Sequence, residues 1–205
     1  MHSLKLIYSY KSRSFFTYEL TSLSIYLAYF IASGFSVFLA YIPFGPAWLT
    51  YLPVILAIAV VHLGFKGAFV SGLGFGFSSF IASIIVGLIW FQYVDVSILP
   101  RFFVGIGTYL AYLLLRMNNK PKLWKFIILT LIATELNTLF VFTALYVHSN
   151  FINTLAGLPG LKTFIVLNTI NLIFEPIANV LIGLAVYIPL INFRNTYQYK
   201  KTITW

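Results

Sequence analysis

From residue 20 onward the chain is a series of long apolar runs, broken at a few points by proline, glycine, asparagine and lysine. An α-helix rises ~1.5 Å per residue, so about 20 residues cross a hydrocarbon layer of ~30 Å. Six such segments are predicted, at about 20–41, 49–63, 67–91, 98–115, 123–147 and 161–191, the second of them short. The runs are continuous rather than alternating, which favours helices over the strands of a membrane barrel. Pro43, Gly45 and Pro46 mark one loop, Asn118, Asn119 and Pro121 another, and Gly157, Pro159 and Gly160 a third. Pro100 is expected in the first turn of the fourth helix, where a missing N–H costs little.

Composition points the same way. Sixty per cent of the residues are hydrophobic and 8% charged, and the only acids are Glu19, Asp95, Glu135 and Glu175. A soluble domain carries charge on about a quarter of its residues. Lipid is therefore the expected solvent, and there every backbone polar group must be satisfied internally. The fold class that follows is an all-α integral membrane protein of six transmembrane helices. With no internal repeat or linker in sight, residues 1–205 are read as a single transmembrane domain.

The formal charge of +9 raises nucleic acid as a partner, but the Lys and Arg residues fall between the apolar runs instead of lining one face. Lys5, Lys11, Arg13, Lys66, Arg116, Lys120, Lys122, Lys125, Arg194, Lys200 and Lys201 fall on one side of the membrane, and only Arg101 and Lys162 on the other. That split predicts cytoplasmic N- and C-termini. No nucleic acid partner is expected. The chain has no cysteine, so it holds neither a disulfide nor a thiolate metal site. The first apolar run shows no cleavage pattern and reads as a retained helix.

Several features can carry function. Ala28, Ala32, Ser36 and Ala40 recur every four residues and share one helical stripe, with Ser33 and Gly34 beside them. Small residues let another backbone approach, either within this chain or from a partner subunit. The third helix holds Gly67, Gly72, Gly74, Gly76, Ser78 and Ser79. Close helix packing explains it better than a phosphate loop, because no Gly-Lys-Ser/Thr follows.

Ionisable residues inside a membrane are costly and mark candidate sites. Asn168, Asn171 and Glu175 are spaced i, i+3, i+7 and share a face, which Asn179 extends. Glu135 has Asn137 and Thr138 beside it, and Arg101 opens the fourth helix. These groups point either to contact with a polar ligand or to a structural hydrogen-bond network, with Arg101 snorkelling to the interface. Trp48 in the first external loop is either part of a cap over the site or an interfacial anchor. His62 and His148 lie in different regions, without metal-ligand spacing, and no metal is expected.

Together, over about residues 25 to 190, these stretches resemble the substrate-binding (S) component of an energy-coupling factor (ECF) vitamin transporter. Ala28, Ala32, Ser36 and Ala40 are similar to that family's alanine-every-four docking motif, with serine at one place. Ile42-Pro43-Phe44-Gly45-Pro46 through Leu52-Pro53-Val54 resembles its first loop and second helix. Gly64-Phe65-Lys66-Gly67, where the family has Gly-Pro, and the run from Gly72 to Ser79 resemble its second loop and third helix. Leu99-Pro100-Arg101 with Val104-Gly105 resembles the fourth helix, Asn137-Thr138 the fifth, and Asn171 with Glu175 the sixth.

The resemblance implies a high-affinity vitamin-binding subunit in a bacterial plasma membrane. It would dock through the small-residue stripe on a transmembrane T component seated on two ATP-binding-cassette ATPases. No cofactor is implied in this chain, ATP being used by the partners, so the chain itself is expected not to be an enzyme. The Phe-Gly-Phe-Ser-Ser run and Leu-Pro-Arg most resemble the pantothenate branch, with folate, cobalamin or another vitamin as alternatives. Arg101 would take a carboxylate, and Asn137, Thr138, Asn168, Asn171, Glu175 and Trp48 would complete the substrate site. Three other classes fit less well. An intramembrane enzyme lacks a catalytic pair, and a membrane sensor or structural module lacks a signalling domain in this sequence. A lone secondary transporter lacks an inverted repeat.

Overall fold

In a computed structural model the chain is described at residues 2–44, 47–119 and 121–202; side chains are described from residue 15, apart from 37 and 43–48. Helix α1 (His2–Phe35) leads through a 3-10 turn to a hairpin of β1 (Tyr41–Phe44) and β2 (Ala47–Thr50). Helices α2 (Leu52–Leu63), α3 (Phe65–Val86), α4 (Val94–Leu114), α5 (Leu123–Val147), α6 (Leu161–Leu167) and α7 (Thr169–Thr202) follow. Among the described residues, five helical stretches are long and apolar enough to cross a membrane: Phe15–Phe35, Phe65–Val86, Val94–Leu114, Leu123–Ile152 and Thr169–Thr202. The protein is an all-α, multi-pass membrane protein.

The second predicted segment is the exception in length. α2 has 12 residues, about 18 Å of helix, well short of a hydrocarbon layer. It is apolar on every side, and ten of its residues are buried: Leu52, Pro53, Val54, Leu56, Ala57, Ala59, Val60, Val61, His62 and Leu63. A helix with no polar face needs neighbours all round. The five long helices provide them, each packing on α2, with α1 against α3, α3 against α4, α4 against α5, and α5 against α7. Phe30, Phe75, Phe126 and Leu129 fill the space around it.

The glycines of α3 serve packing. A Cβ on Gly76 would meet the Ile98 backbone at 2.7 Å, and one on Gly105 would meet the Ala68 carbonyl oxygen at 2.6 Å. The α3–α4 seam is thus closer than any larger residue permits. Ser33 and Ser78 join α1 to α3 by a buried hydroxyl pair at 2.8 Å.

Several predicted boundaries shift for local reasons. The first helix stops at Phe35, and Leu49 and Thr50 belong to β2. α3 ends at Gly87, which takes a left-handed cap at φ 78°. α4 starts four residues before the predicted position, so Pro100 lies in its second turn and not its first. The sixth predicted helix divides at Asn168, whose Nδ2 donates to the Phe164 carbonyl at 2.8 Å at the end of α6.

Lys66, Arg194 and Lys200 lie at one end of the bundle. There Lys66 pairs with buried Glu19 at 2.7 Å, and the Tyr197 hydroxyl donates to the other Glu19 oxygen at 2.8 Å. Lys200 sits 4.5 Å over the Tyr18 ring. Arg194, buried, donates to the carbonyls of Met117 and Asn118 just past α4. These contacts bring the N-terminal helix, the α4–α5 turn and the C-terminal helix together.

Candidate functional site

The candidate site lies toward the opposite end, where the hairpin meets α7, with α4 and α5 beside it. On α7, Asn171, Glu175 and Asn179 follow at four-residue intervals and form one stripe. Glu175 and Asn179 are buried and Asn171 is half-buried. The stripe holds a single hairpin residue from both sides. Glu175 Oε2 accepts from the Thr50 backbone N–H at 3.2 Å. Asn179 Nδ2 donates to the Thr50 carbonyl at 3.1 Å and to Thr134 Oγ1 of α5 at 2.9 Å. Thr50 Oγ1 in turn donates to the Ala40 carbonyl at 3.2 Å.

Arg101 enters from α4. Pro100 has no N–H and cannot bond the Val96 carbonyl four residues back. Arg101 Nη1 donates to that carbonyl at 2.7 Å and reaches the Ser97 carbonyl at 3.4 Å. The guanidinium lies 5.5 Å from the Phe91 ring centre and 5.9 Å from that of Phe75, within cation–π range. It is 6% exposed, so it does not snorkel to the interface. Its charge acts on both Glu175 and Tyr41. Burial holds the Tyr41 phenol above its ordinary range; Arg101 pulls it down, Glu175 pushes it up, and Ser79 beside it pulls it down.

Four buried polar atoms of these helices lack a hydrogen-bond partner among the described residues: Arg101 Nε, Asn137 Oδ1, Asn171 Oδ1 and Asn179 Oδ1. Asn137 stands one turn from Thr134 on α5, on the side of the Asn179 stripe. Buried polar groups are normally paired, and an unmade bond costs about 1–3 kcal/mol. One donor on α4 and three acceptors on α5 and α7 are thus left without partners among the described residues, a set that suits a ligand that both accepts and donates.

The other sequence candidates divide. Thr138 is half-buried on α5, next to Asn137. Asn168 is spent on capping α6. The Trp48 backbone pairs with Pro43 in the hairpin, but its side chain lies outside the described residues. Glu135 is exposed on α5 and, among the described residues, makes no hydrogen bond in the site, although its charge acts on Glu175 of the stripe. Of the small-residue stripe, Ala28 and Ala32 are exposed on α1, Ser36 is half-buried past its end, and Ala40 is fully buried behind the hairpin. Exposed Ser24 continues the stripe one turn the other way.

Two clusters escaped sequence reading. At the hairpin end His148 Nδ1 meets Asp95 Oδ2 at 2.6 Å, with the Tyr93 ring centre 4.2 Å from the imidazole. At the basic end His62 stands between two phenols, Tyr18 at Nε2 (3.2 Å) and Tyr26 at Nδ1 (3.1 Å). The partners are 53, 44 and 36 residues apart, and no local spacing signals such pairs. Comparison of the chain with protein-family models and with curated proteins finds no match.

Proposed function

We propose that this chain is the vitamin-binding S component of an ECF-type importer, with pantothenate as its cargo. The observation that carries the reading is the set of unpartnered buried polar atoms around Arg101, Asn137, Asn171 and Asn179. Arg101 supplies charge for a carboxylate, with its Nε still without an acceptor. Glu175 and the three asparagine oxygens accept hydrogen bonds, which suits hydroxyl and amide donors. Pantothenate carries a carboxylate, two hydroxyls and an amide N–H in one small molecule. Folate, which also carries carboxylates, and cobalamin are the other cargoes this family resemblance admits.

The hairpin supports a coupling role. Both backbone groups of Thr50 are held by the stripe that faces the site. A ligand that competes for Glu175 or Asn179 shifts the hairpin, by as much as its affinity differs between the two positions. Docking on the T component falls to the open α1 face around Ser24, Ala28 and Ala32. ATP is hydrolysed by the two partner ATPases in this reading.

The division of labour has a direct test. Proteoliposomes holding this chain alone are expected to bind external pantothenate stoichiometrically and not to accumulate it when ATP is enclosed. Accumulation by the chain alone rules the S-component reading out.

A further inference from the structure

Glu135 is the thirteenth of the 25 residues of α5, so about 18 Å of helix separates it from either end. Its side chain is exposed on the outer face of the bundle, with exposed Ile128 and Leu139 nearby on that face. Among the described residues no ion pair or hydrogen bond reaches it. One turn away, Leu131 forms one wall of a groove of about 200 Å³, and Pro176, Ile177, Val180 and Leu181 of α7 form the other. Pro176 also cannot donate to the Leu172 carbonyl four residues back. A carboxylate facing hydrocarbon at mid-depth is costly unless something covers and pairs it.

We propose that the α5–α7 groove is a docking site for a transmembrane helix of a partner protein that brings a lysine or arginine to Glu135. The chemistry selects this occupant. An ionised carboxylate only accepts hydrogen bonds, so its partner must donate. Lipid tails have no donor, and headgroups lie ~15 Å from the midplane of a ~30 Å core. A second copy of this chain does not supply the cation. Its described Lys and Arg residues stand toward the helix ends, except Arg101, which is buried. The apolar groove walls receive the rest of the helix. The site is on α5 and α7, away from the Ala28–Ala32 face of α1, and does not rest on the transporter reading.

The test uses the full chain in lipid nanodiscs and labelled polyleucine transmembrane peptides. One peptide carries a single central lysine and the other leucine there. Energy transfer is expected to show the lysine peptide binding about tenfold tighter than the leucine peptide. Glu135→Leu and the groove-filling Val180→Trp are each expected to abolish that preference while leaving the unfolding temperature of the free chain within a few degrees. Equal binding of the two peptides, or a lysine preference that survives Glu135→Leu, overturns the proposal. Energy transfer between two labelled copies without peptide, lost in Glu135→Leu, also overturns it and assigns the groove to self-association.

Discussion

Arg101 donates to the carbonyl of Val96 at 2.7 Å, the one that Pro100 leaves without its helical donor. The proline and the arginine therefore form one device. The gap in the α4 ladder pulls the guanidinium back along the helix and fixes it between Phe75 and Phe91. Arg101→Ala leaves the Val96 carbonyl bare and is expected to destabilise the fold by about 1–3 kcal/mol. In a Pro100→Ala background the backbone N–H returns, and the same substitution is expected to cost less. Thermal unfolding of the four proteins in detergent measures the difference; strictly additive effects contradict the pairing.

Asn179 ties α7 to both the hairpin and α5. Asn179→Leu is expected to release the Thr50 carbonyl and Thr134 Oγ1 together, at about 1–3 kcal/mol. Hydrogen exchange should rise across β1 and β2, while the helices of the basic end keep their protection. Exchange that rises evenly along the chain would mean the hairpin is not held there.

At the basic end the two partners of Glu19 differ in worth. The Lys66 side chain is 60% exposed, so the ion pair is well screened, and Lys66→Ala is expected to cost less than ~1 kcal/mol. Tyr197 is buried, and Tyr197→Phe leaves a buried carboxylate oxygen without its donor. Its expected cost is larger, about 1–3 kcal/mol. The reverse order in denaturation midpoints would contradict this assignment.

The α3–α4 seam makes a steric prediction. Gly76→Ala drives a methyl into the Ile98 backbone and is expected to lower stability by about 1–3 kcal/mol. Gly160 has open space around its Cβ position and an ordinary φ of −56°, so Gly160→Ala is expected to be neutral. Parallel melts of the two variants check both.

Long helices were legible because apolar runs of about 20 residues have few other uses. α2 has the length of a short apolar helix and no polar face, and the structure encloses it among the five long helices, a surrounding that hydropathy alone does not register. Pro100 falls a turn later than its spacing predicts because α4 already begins at Val94 and Asp95, an acid suited to a helix first turn. The four-residue spacing places Ala40 on the same stripe only if the helix is unbroken; the turn after Phe35 carries Ala40 inside. Arg101, Asn137, Asn171 and Glu175 are visible in the sequence because polar groups are rare in such segments; the first two and Glu175 are buried and Asn171 half-buried. The spacing places Asn179 only as an extension of that face; its bonds to Thr50 and Thr134 depend on the fold. Thr50 and Tyr41 were not singled out, since their roles depend on contacts set by the fold.

In the proposed function, the polar region around Arg101 binds a small carboxylate-bearing vitamin. Calorimetric titration of the purified chain in detergent tests it most directly, with pantothenate, folate, cobalamin and riboflavin as ligands and Arg101→Ala as the variant. Tight binding of pantothenate alone, abolished in a folded Arg101→Ala protein, is the expected result. Tight binding of a different vitamin contradicts the cargo, and no binding of any by a folded protein contradicts the account.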